Sequence, residues 1–149
     1  MPIGDYCRRD PVTARPTLTL REAAELMKRA NTGSLLIVEE DRLVGILTDR
    51  DIALGVLAGR LDPEHVEVNE LMSRPVATLP ERASVTRASR AMRRNALRRL
   101  PLLDEQGKLV GIVTSDDLLR LVTGELASLG RAVASQTPEQ RTALVSGSA

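Results

Sequence analysis

Two copies of one short motif hold the residue types in this chain that are best suited to binding a ligand. The heptad Gly-Ile-Leu-Thr-Asp-Arg-Asp at 45–51 returns 66 positions later as Gly-Ile-Val-Thr-Ser-Asp-Asp. In each copy an aspartate follows a threonine by three positions, first as Thr48 and Asp51 and then as Thr114 and Asp117. A carboxylate can accept hydrogen bonds from the vicinal hydroxyls of a ribose, while a threonine hydroxyl contacts sugar or phosphate. The duplication therefore predicts two related ligand sites or two related helix starts.

The Thr-x-x-Asp spacing also has a structural interpretation, because it fits the capping box at the start of a helix. The hydroxyl then accepts a hydrogen bond from a backbone N–H of the first turn, and the acid reaches back to the N-cap. Spacing alone favours this interpretation. Both uses can coexist, since a helix start leaves N–H groups unpaired and carries the positive end of the helix dipole, where phosphate or hydroxyl groups bind.

The elements that must position these pairs are also duplicated. Runs of about five apolar residues, separated by short polar turns, predict a hairpin in each half that is buried on both faces. The hairpin strands are expected at 34–38 and 43–47 in the first half, and at 99–103 and 109–113 in the second half. A first strand is expected before them at 10–13 and at 74–77. A closing helix is expected after them at 49–57 and at 115–122. Apolar residues at helical spacing predict a helix before each hairpin, and Thr19 with Glu22 forms a capping box for the first one. The repeated unit is strand, helix, strand, strand, helix.

Length and composition exclude several classes of protein. The 149 residues are 42% hydrophobic and 28% charged, and each half alone would bury little surface, so we expect the halves to share one core. No apolar stretch could cross a membrane, and the polar N-terminus lacks the apolar region of a signal peptide, so a cytoplasmic protein is expected. One cysteine and one histidine cannot build a metal cluster. Without a nucleophile–base pair or a P-loop, we predict no catalytic residues, no metal site and no enzymatic activity.

Further motifs occur in order along the chain: Met-Ser-Arg-Pro-Val at 72–76, Arg-Arg-Leu-Pro-Leu at 98–102 and the two heptads. Together with the order of the elements, they resemble the CBS domain, named after cystathionine β-synthase, in the tandem pair called a Bateman module. The resemblance extends from Ile3 to Thr123 and implies an α/β (α+β) fold, in which two β-α-β-β-α repeats pack about a pseudo-twofold axis and enclose two clefts. We therefore expect repeat 1 at 1–58, a linker at 59–67, repeat 2 at 68–123, and an extension at 124–149 that is partly helical or disordered.

The resemblance implies a non-catalytic regulatory module that binds an adenine nucleotide (AMP, ADP or ATP) or a related adenosyl ligand in these clefts. No cofactor is required, and the nucleotide is expected with or without Mg²⁺. In the family, the heptad Asp binds the ribose beside the Thr, apolar residues enclose the base, and the first strand of the opposite repeat completes the cleft. One expected site therefore contains Asp117, Asp116, Thr114, Ile112, Val12 and Thr13, and the other contains Asp51, Arg50, Thr48, Ile46, Val76 and Ala77.

The two expected clefts differ in charge. Arg98 and Arg99 precede the hairpin of the second repeat, where the first repeat has Gly33 and Ser34. Guanidinium groups pair bidentately with phosphate oxygens, so we expect the cleft of the second heptad to prefer the more highly charged nucleotide. The alternative is that both arginines are solvated at the surface.

The chain also offers features for larger partners. Seven arginines lie in the stretch 81–99, opposed only by Glu81. Weak nucleic-acid binding through this helix is one alternative, although the overall net charge of +1 and the single aromatic residue argue against it. The resemblance implies a homodimer assembled through the helices and an output that acts on an unidentified protein target. A ligand-free structural or dimerisation module, whose acids are only helix caps, is the other alternative.

Overall fold

The structure, a computed structural model, describes residues 1–136. A 3-10 turn at Ile3–Tyr6 leads into repeat 1, and a short helix at Val68–Leu71 leads into repeat 2. Repeat 1 contains β1 (Thr13–Ala14), α1 (Leu20–Ala30), β2 (Ser34–Glu39), β3 (Arg42–Thr48) and α2 (Asp49–Ala53), which a π-helical turn extends over Leu54–Ala58. Repeat 2 contains α3 (Val68–Leu71), β4 (Leu79–Pro80), α4 (Val85–Asn95), β5 (Arg99–Leu103), β6 (Leu109–Thr114) and α5 (Ser115–Ala134).

Each repeat forms its own three-stranded sheet. The strand orders are β1-β2-β3 and β4-β5-β6; in both sheets the first strand is parallel to the second, and the second is antiparallel to the third. Thr13 lies opposite Leu36, and the same pairing recurs 66 positions later between Leu79 and Leu102. The two repeats therefore share the same strand register as well as a similar sequence. This confirms the predicted mixed α/β fold built from two β-α-β-β-α units.

The first strand of repeat 2 does not lie where the sequence predicted it. The prediction placed it at 74–77, but the pairing with β5 begins at Leu79. Pro75 has no N–H to donate to a strand ladder. Ser73, two residues before Pro75, pairs instead with Ile46 of repeat 1. The prediction for 74–77 is therefore wrong, and this segment crosses from one sheet to the other.

Two hydrophobic cores, one in each repeat, replace the single shared core that the length suggested. The core of repeat 1 includes Val68 and Met72, which belong to the lead-in of repeat 2. The core of repeat 2 includes the fully buried Ile3 from the N-terminal lead-in. Backbone hydrogen bonds hold both segments, from Ile3 N to Ala83 O (2.9 Å) and from Val68 N to Leu18 O (2.8 Å). Each lead-in packs on the opposite repeat, so the two halves are interlocked.

Helix α5 is longer than the sequence predicted. A helix was expected at 115–122, whereas α5 has 20 residues and includes the start of the predicted extension. Gly124 disfavours the helix by only about 1 kcal/mol, and Leu126 and Leu129 continue the helical spacing of apolar residues. The rest of the predicted extension, 137–149, lies outside the described residues.

Candidate functional site

Both Thr-x-x-Asp pairs form complete capping boxes with the same geometry. Thr48 N donates to Asp51 Oδ2 (2.9 Å), and Asp51 N donates to Thr48 Oγ1 (3.1 Å). Thr114 and Asp117 repeat these two bonds at 2.9 and 3.1 Å. Thr48 therefore begins α2 and Thr114 begins α5. The structural interpretation of the spacing is correct for both copies.

Capping leaves part of each pair available to a ligand. Asp51 and Asp117 are half-buried, and only Oδ2 of each carboxylate accepts a hydrogen bond within residues 1–136. Oδ1 of each carboxylate can therefore accept further hydrogen bonds. The caps hold both carboxylates at a helix start in a defined orientation, which is what a binding site for hydroxyl groups requires.

Thr114 of the second pair lines a cleft between the repeats, and Asp117 is hydrogen-bonded to it. The cleft has a volume of about 220 Å³ and is lined by residues from the N-terminal segment, from the start of β2 and from repeat 2. Its lining residues are Arg8, Asp10, Pro11, Val12, Asn31, Thr32, Gly33, Ser34, Leu36, Arg99, Ile112 and Thr114. Hydroxyl, guanidinium and apolar groups from both repeats thus meet in one place.

The N-terminal segment creates this cleft because it bridges the two sheets. Arg8 N donates to Ile112 O (3.0 Å), and Ile112 N donates to Arg8 O (3.1 Å), so the segment joins the edge of β6. Four residues later, Leu36 N donates to Val12 O (3.0 Å), which joins the segment to β2. Residues 8–12 therefore carry Pro11 and Val12 across the gap between β6 and β2.

The predicted residues of this site are only partly brought together. Val12, Arg99, Ile112 and Thr114 all line the cleft, and Asp117 is hydrogen-bonded to Thr114 beside it. Thr13 faces a separate open groove with Glu40 and Asp41. Asp116 is exposed and is not among the lining residues.

The predicted arginine pair separates into two different positions. Arg99, the first residue of β5, is half-buried and lines the cleft. Arg98 is exposed outside it, and its backbone oxygen accepts a hydrogen bond from Ser115 N (2.9 Å). Successive side chains of an extended chain point to opposite sides, so neighbours at a strand start cannot both face one cleft. One guanidinium rather than two is available from this pair.

Several cleft residues were not predicted as ligand contacts. A Cβ at Gly33 would lie 3.0 Å from Asp49 Oδ2 and 3.5 Å from Arg99 Nη2, so glycine leaves room for both side chains here. Asn31 ends α1 in the left-handed conformation, with φ 49° and ψ 48°, and donates its N–H to Lys28 O. Asparagine is a common helix terminator of this kind, so the sequence contained that signal. Arg8 carried no comparable signal, because its position follows from pairing with the opposite repeat.

The residues predicted for the first heptad's cleft are arranged differently. Ile46 exchanges two backbone hydrogen bonds with Ser73 (3.1 and 2.9 Å), as Ile112 does with Arg8. Val76 lines an open groove of about 580 Å³ whose lining includes neither Thr48 nor Asp51. The other two predicted residues, Arg50 and Ala77, are exposed.

Cys7 and the arginines of α4 lie outside the cleft lining. Burial raises the pKa of the Cys7 thiol, the nearby Arg9 opposes this shift, and the charges of Glu81 and Asp117 add to it.

The arginines of α4, namely Arg87, Arg90, Arg93 and Arg94, are exposed and form no ion pair within residues 1–136. The nucleic-acid interpretation of that helix stays a prediction. Across the same residues, no helix is long and apolar enough to span a membrane, and no cluster of potential metal ligands is present.

A family profile for the CBS domain matches two stretches of the chain, 3–57 and 68–124. The chain belongs to the CBS-domain family. Its two matched stretches contain the two sheets and the two heptads, so the chain is a CBS-domain pair.

Individual relatives support the same assignment. Over 116 residues the pair is 43% identical to the CBS domain-containing protein YhcV of Bacillus subtilis, covering 78% of this chain and 81% of that protein. Over 120 residues it is 40% identical to an uncharacterized protein of Methanopyrus kandleri, covering 80% of this chain but 61% of that protein. Among solved structures, the chain is similar to the CBS domain pair of protein MJ0100, with a TM-score of 0.75 and 32% sequence identity. The match covers 84% of this chain and 98% of that chain. The MJ0100 pair was solved in complex with 5′-methylthioadenosine and S-adenosyl-L-methionine.

Proposed function

We propose that this CBS-domain pair is a non-catalytic regulatory module that binds an adenosine-containing ligand in the cleft beside Thr114 and Asp117. A hydroxyl, a guanidinium and apolar side chains from both repeats line this one cleft, and the Asp117 carboxylate is hydrogen-bonded to its lining residue Thr114. This arrangement carries the proposal. The structurally similar pair of MJ0100 was solved with two adenosyl compounds, which supports this class of ligand.

Each part of the ligand has a matching group. Asp117 Oδ1 accepts hydrogen bonds from the ribose hydroxyls, because Oδ2 is already engaged by the cap. Val12, Leu36 and Ile112 provide an apolar surface for the adenine. Arg99 pairs with phosphate oxygens of AMP, ADP or ATP, or with the carboxylate of a related adenosyl compound.

The size of the cleft determines which part of the ligand it encloses. Its volume of about 220 Å³ is below the roughly 300–1,000 Å³ of pockets that enclose drug-sized ligands. The nucleoside part therefore occupies the cleft, and the phosphates, with or without Mg²⁺, lie at its mouth near Arg8 and Arg99. Both guanidiniums favour the more highly charged nucleotides.

Binding here acts on the contact between the repeats. Residues 8–12 are bonded to β6 of repeat 2 and to β2 of repeat 1, so a ligand that contacts them adds contacts across both sheets. A ligand shifts the balance between two packing states only if it binds one of them more tightly. The resulting change in the lead-in or in the helices is the signal that a protein target reads.

Two matched substitutions test this proposal. Asp117→Asn keeps an oxygen that can cap α5 but removes the charge, and Asp51→Asn makes the same change in the equivalent box of repeat 1. A hydrogen bond to a charged group contributes about 1.5–3 kcal/mol, so we expect Asp117→Asn to weaken binding by roughly 10- to 150-fold. Asp51→Asn should leave the affinity of this cleft within about twofold, because its cap lies at the other heptad.

Titration calorimetry with AMP, ATP, S-adenosylmethionine and 5′-methylthioadenosine measures both effects. Equal affinities for the wild type and the Asp117→Asn protein would remove Asp117 from the site. If the folded wild type binds none of these compounds below about 1 mM, a dissociation free energy of roughly 4 kcal/mol, the proposed ligand class is wrong.

A ligand-free structural module is the second candidate function. The completeness of both capping boxes favours it, because capping alone accounts for the Thr and Asp residue types. This candidate predicts no nucleotide binding, and it predicts that Asp51→Ala and Asp117→Ala each reduce stability by about 1 kcal/mol. Because the capping boxes are present under either candidate, the titrations distinguish the candidates, and chemical denaturation of the two variants measures what each cap contributes.

A further inference from the structure

The exposed side of α4 is a surface of arginines. Arg87, Arg90 and Arg94 are exposed and form no ion pair within residues 1–136. They follow one another at intervals of three and four residues, which places them on one side of the helix. The buried Ala88 and Met92 hold another side of the helix in the core of repeat 2. We refer to Arg87, Arg90 and Arg94 as the α4 arginine face.

Acidic residues do not compensate this face from its own part of the chain. The stretch 82–103 contains no aspartate or glutamate. Two acids that flank the stretch are already paired, Glu81 with Arg9 (3.0 Å) and Glu105 with Arg82 (2.9 Å). The net charge of the whole chain is only +1 because its acids are concentrated in other segments, so a positive field remains at α4.

The fold does not require arginine on this side of the helix. Helices α1 and α4 both have 11 residues and begin 65 positions apart, so they occupy equivalent places in the two repeats. Glu22 of α1 corresponds to Arg87 of α4, and Glu25 corresponds in the same way to Arg90. Acids at these positions are therefore compatible with the helix and with its packing on a core. The positive charge of α4 is a property of the surface rather than a condition for folding.

The crowding of the guanidiniums favours an anionic partner. Like charges three or four residues apart on a helix repel each other and destabilise it. Arg87 and Arg90 have this spacing, and so do Arg90 and Arg94. A partner that places anions between these side chains would remove the repulsion, which favours binding in addition to the direct ion pairs.

The other residues of α4 exclude several kinds of anionic partner. All exposed residues of the helix are polar, namely Thr86, Arg87, Ser89, Arg90, Arg93, Arg94 and Asn95. A lipid surface requires apolar side chains that insert into it, and a protein held only by exposed ion pairs gains little affinity. Binding of a single nucleic-acid strand requires aromatic side chains for base stacking, and the chain has one aromatic residue. A duplex requires neither, because phosphate contacts alone supply non-specific affinity through counterion release.

The length of the face matches a short row of phosphates. Arg87 and Arg94 lie about 10.5 Å apart along the axis, at the helical rise of 1.5 Å per residue. One strand of a DNA duplex presents a phosphate about every 3.4 Å along its axis, so the face spans about three of them. Proteins that recognise duplex RNA contact 2′-hydroxyls and phosphates along about 16 base pairs, which requires a longer surface.

We propose that the α4 arginine face binds the phosphate backbone of double-stranded DNA without reading the base sequence. The three guanidiniums pair with successive phosphates of one strand, as their planar donors allow. This surface does not include the cleft beside Asp117, so the proposal stands or falls independently of the proposed ligand.

The anisotropy of a fluorescently labelled DNA duplex of about 20 base pairs, titrated with the full-length protein, tests the proposal. Three phosphate contacts predict a slope of about −2.7 for the logarithm of the binding constant against the logarithm of the salt concentration. The affinity should therefore fall roughly 40-fold between about 50 and 200 mM NaCl. The Kd at the lower salt concentration should be about 0.1 mM or tighter. No detectable binding there, or an affinity that does not depend on salt, would overturn the proposal.

Two double variants with the same change in net charge locate the contact. Arg87→Glu with Arg90→Glu gives α4 the residues that α1 carries at the equivalent positions, so this variant should fold. It should bind DNA at least about tenfold more weakly and show a salt slope near −0.9, because one phosphate contact remains. Lys28→Glu with Arg29→Glu is the control on exposed residues of α1; it keeps the three guanidiniums and should change the affinity less than about threefold. Equal losses for both variants would show that DNA responds only to net charge.

A neutral variant keeps the test valid if the acidic one does not fold. Arg87→Gln with Arg90→Gln removes the same two contacts and retains good helix formers. Circular dichroism checks the folding of each variant. A salt slope for this variant equal to that of the wild type would remove the two arginines from the contact.

The same titration with other polyanions tests the choice of partner. The probes are duplex RNA of the same sequence, single-stranded DNA, and vesicles of phosphatidylcholine and phosphatidylserine. Duplex DNA should bind most tightly. Tighter binding of the RNA duplex, the single strand or the vesicles would assign the face to that partner and overturn the proposal.

Discussion

The contact between Gly111 and the N-terminal lead-in offers a sharp test of how the two repeats interlock. A Cβ at Gly111 would lie 2.6 Å from Cys7 Sγ and 2.8 Å from the backbone oxygen of Arg8. The Arg8 oxygen cannot retreat without disturbing its hydrogen bond from Ile112 N, which is 3.1 Å long. Gly111→Ala is therefore expected to push the lead-in away from β6.

The magnitude follows from the kind of atoms that clash. Overpacking a buried site costs about 1–3 kcal/mol, and the upper part of this range applies because one of the two clashing groups is backbone. A decrease of about 2–3 kcal/mol in the free energy of unfolding corresponds to a fall of roughly 4–12 °C in the melting temperature of a chain of this size. Because Arg8, Asp10, Pro11 and Val12 line the cleft, the same substitution should also weaken binding of an adenosyl ligand.

Urea unfolding followed by circular dichroism measures the change, and two variants serve as controls. Gly124→Ala adds a methyl group where no atom lies within 4 Å, so it should raise stability by up to about 1 kcal/mol. Cys7→Ala removes the sulfur clash but not the backbone clash, so the Cys7→Ala, Gly111→Ala protein should recover only part of the loss. If Gly111→Ala is as stable as the wild type and binds ligand equally well, the lead-in does not pack on β6 as described.

The remaining predictions concern the arginine pair and the thiol. Arg99→Ala should weaken the binding of ATP by about tenfold or more, because a charge-assisted hydrogen bond to phosphate is lost, and should leave the affinity for adenosine unchanged. Arg98→Ala should change neither affinity. Calorimetry checks this, and equal losses for both ligands would contradict a phosphate contact. Cys7, whose pKa is raised chiefly by burial, should be protonated at neutral pH and react slowly with iodoacetamide. Because folding favours the neutral thiol, Cys7 contributes to the free energy of unfolding below the ordinary thiol pKa. This contribution is lost as the pH rises through the raised pKa of the folded protein. Rapid alkylation of the folded protein at neutral pH would show that the thiol is not shielded.

The sequence alone was sufficient for features that depend on neighbours along the chain. Apolar runs of a strand's length predicted β2 and β6 almost to the residue. The Thr-x-x-acid spacing identified the capping boxes of α1, α2 and α5, because both hydrogen bonds of such a box span only three residues. The 66-residue offset identified the duplication, and the ordered motifs identified the CBS-domain family, which the profile match confirms.

Tertiary structure decided every feature that depends on contact between the repeats. The exchange of the lead-ins, which buries Ile3 in one core and Val68 in the other, depends on pairing between residues far apart in the chain. The same pairing sets the start of β4 after Pro75 and places Arg99, but not Arg98, in the cleft. Local spacing contains no information about which sheet edge a segment joins. The heptads thus specified two helix starts from sequence, whereas the surroundings that make one of them a candidate ligand site arise only when the N-terminal segment bridges the two sheets.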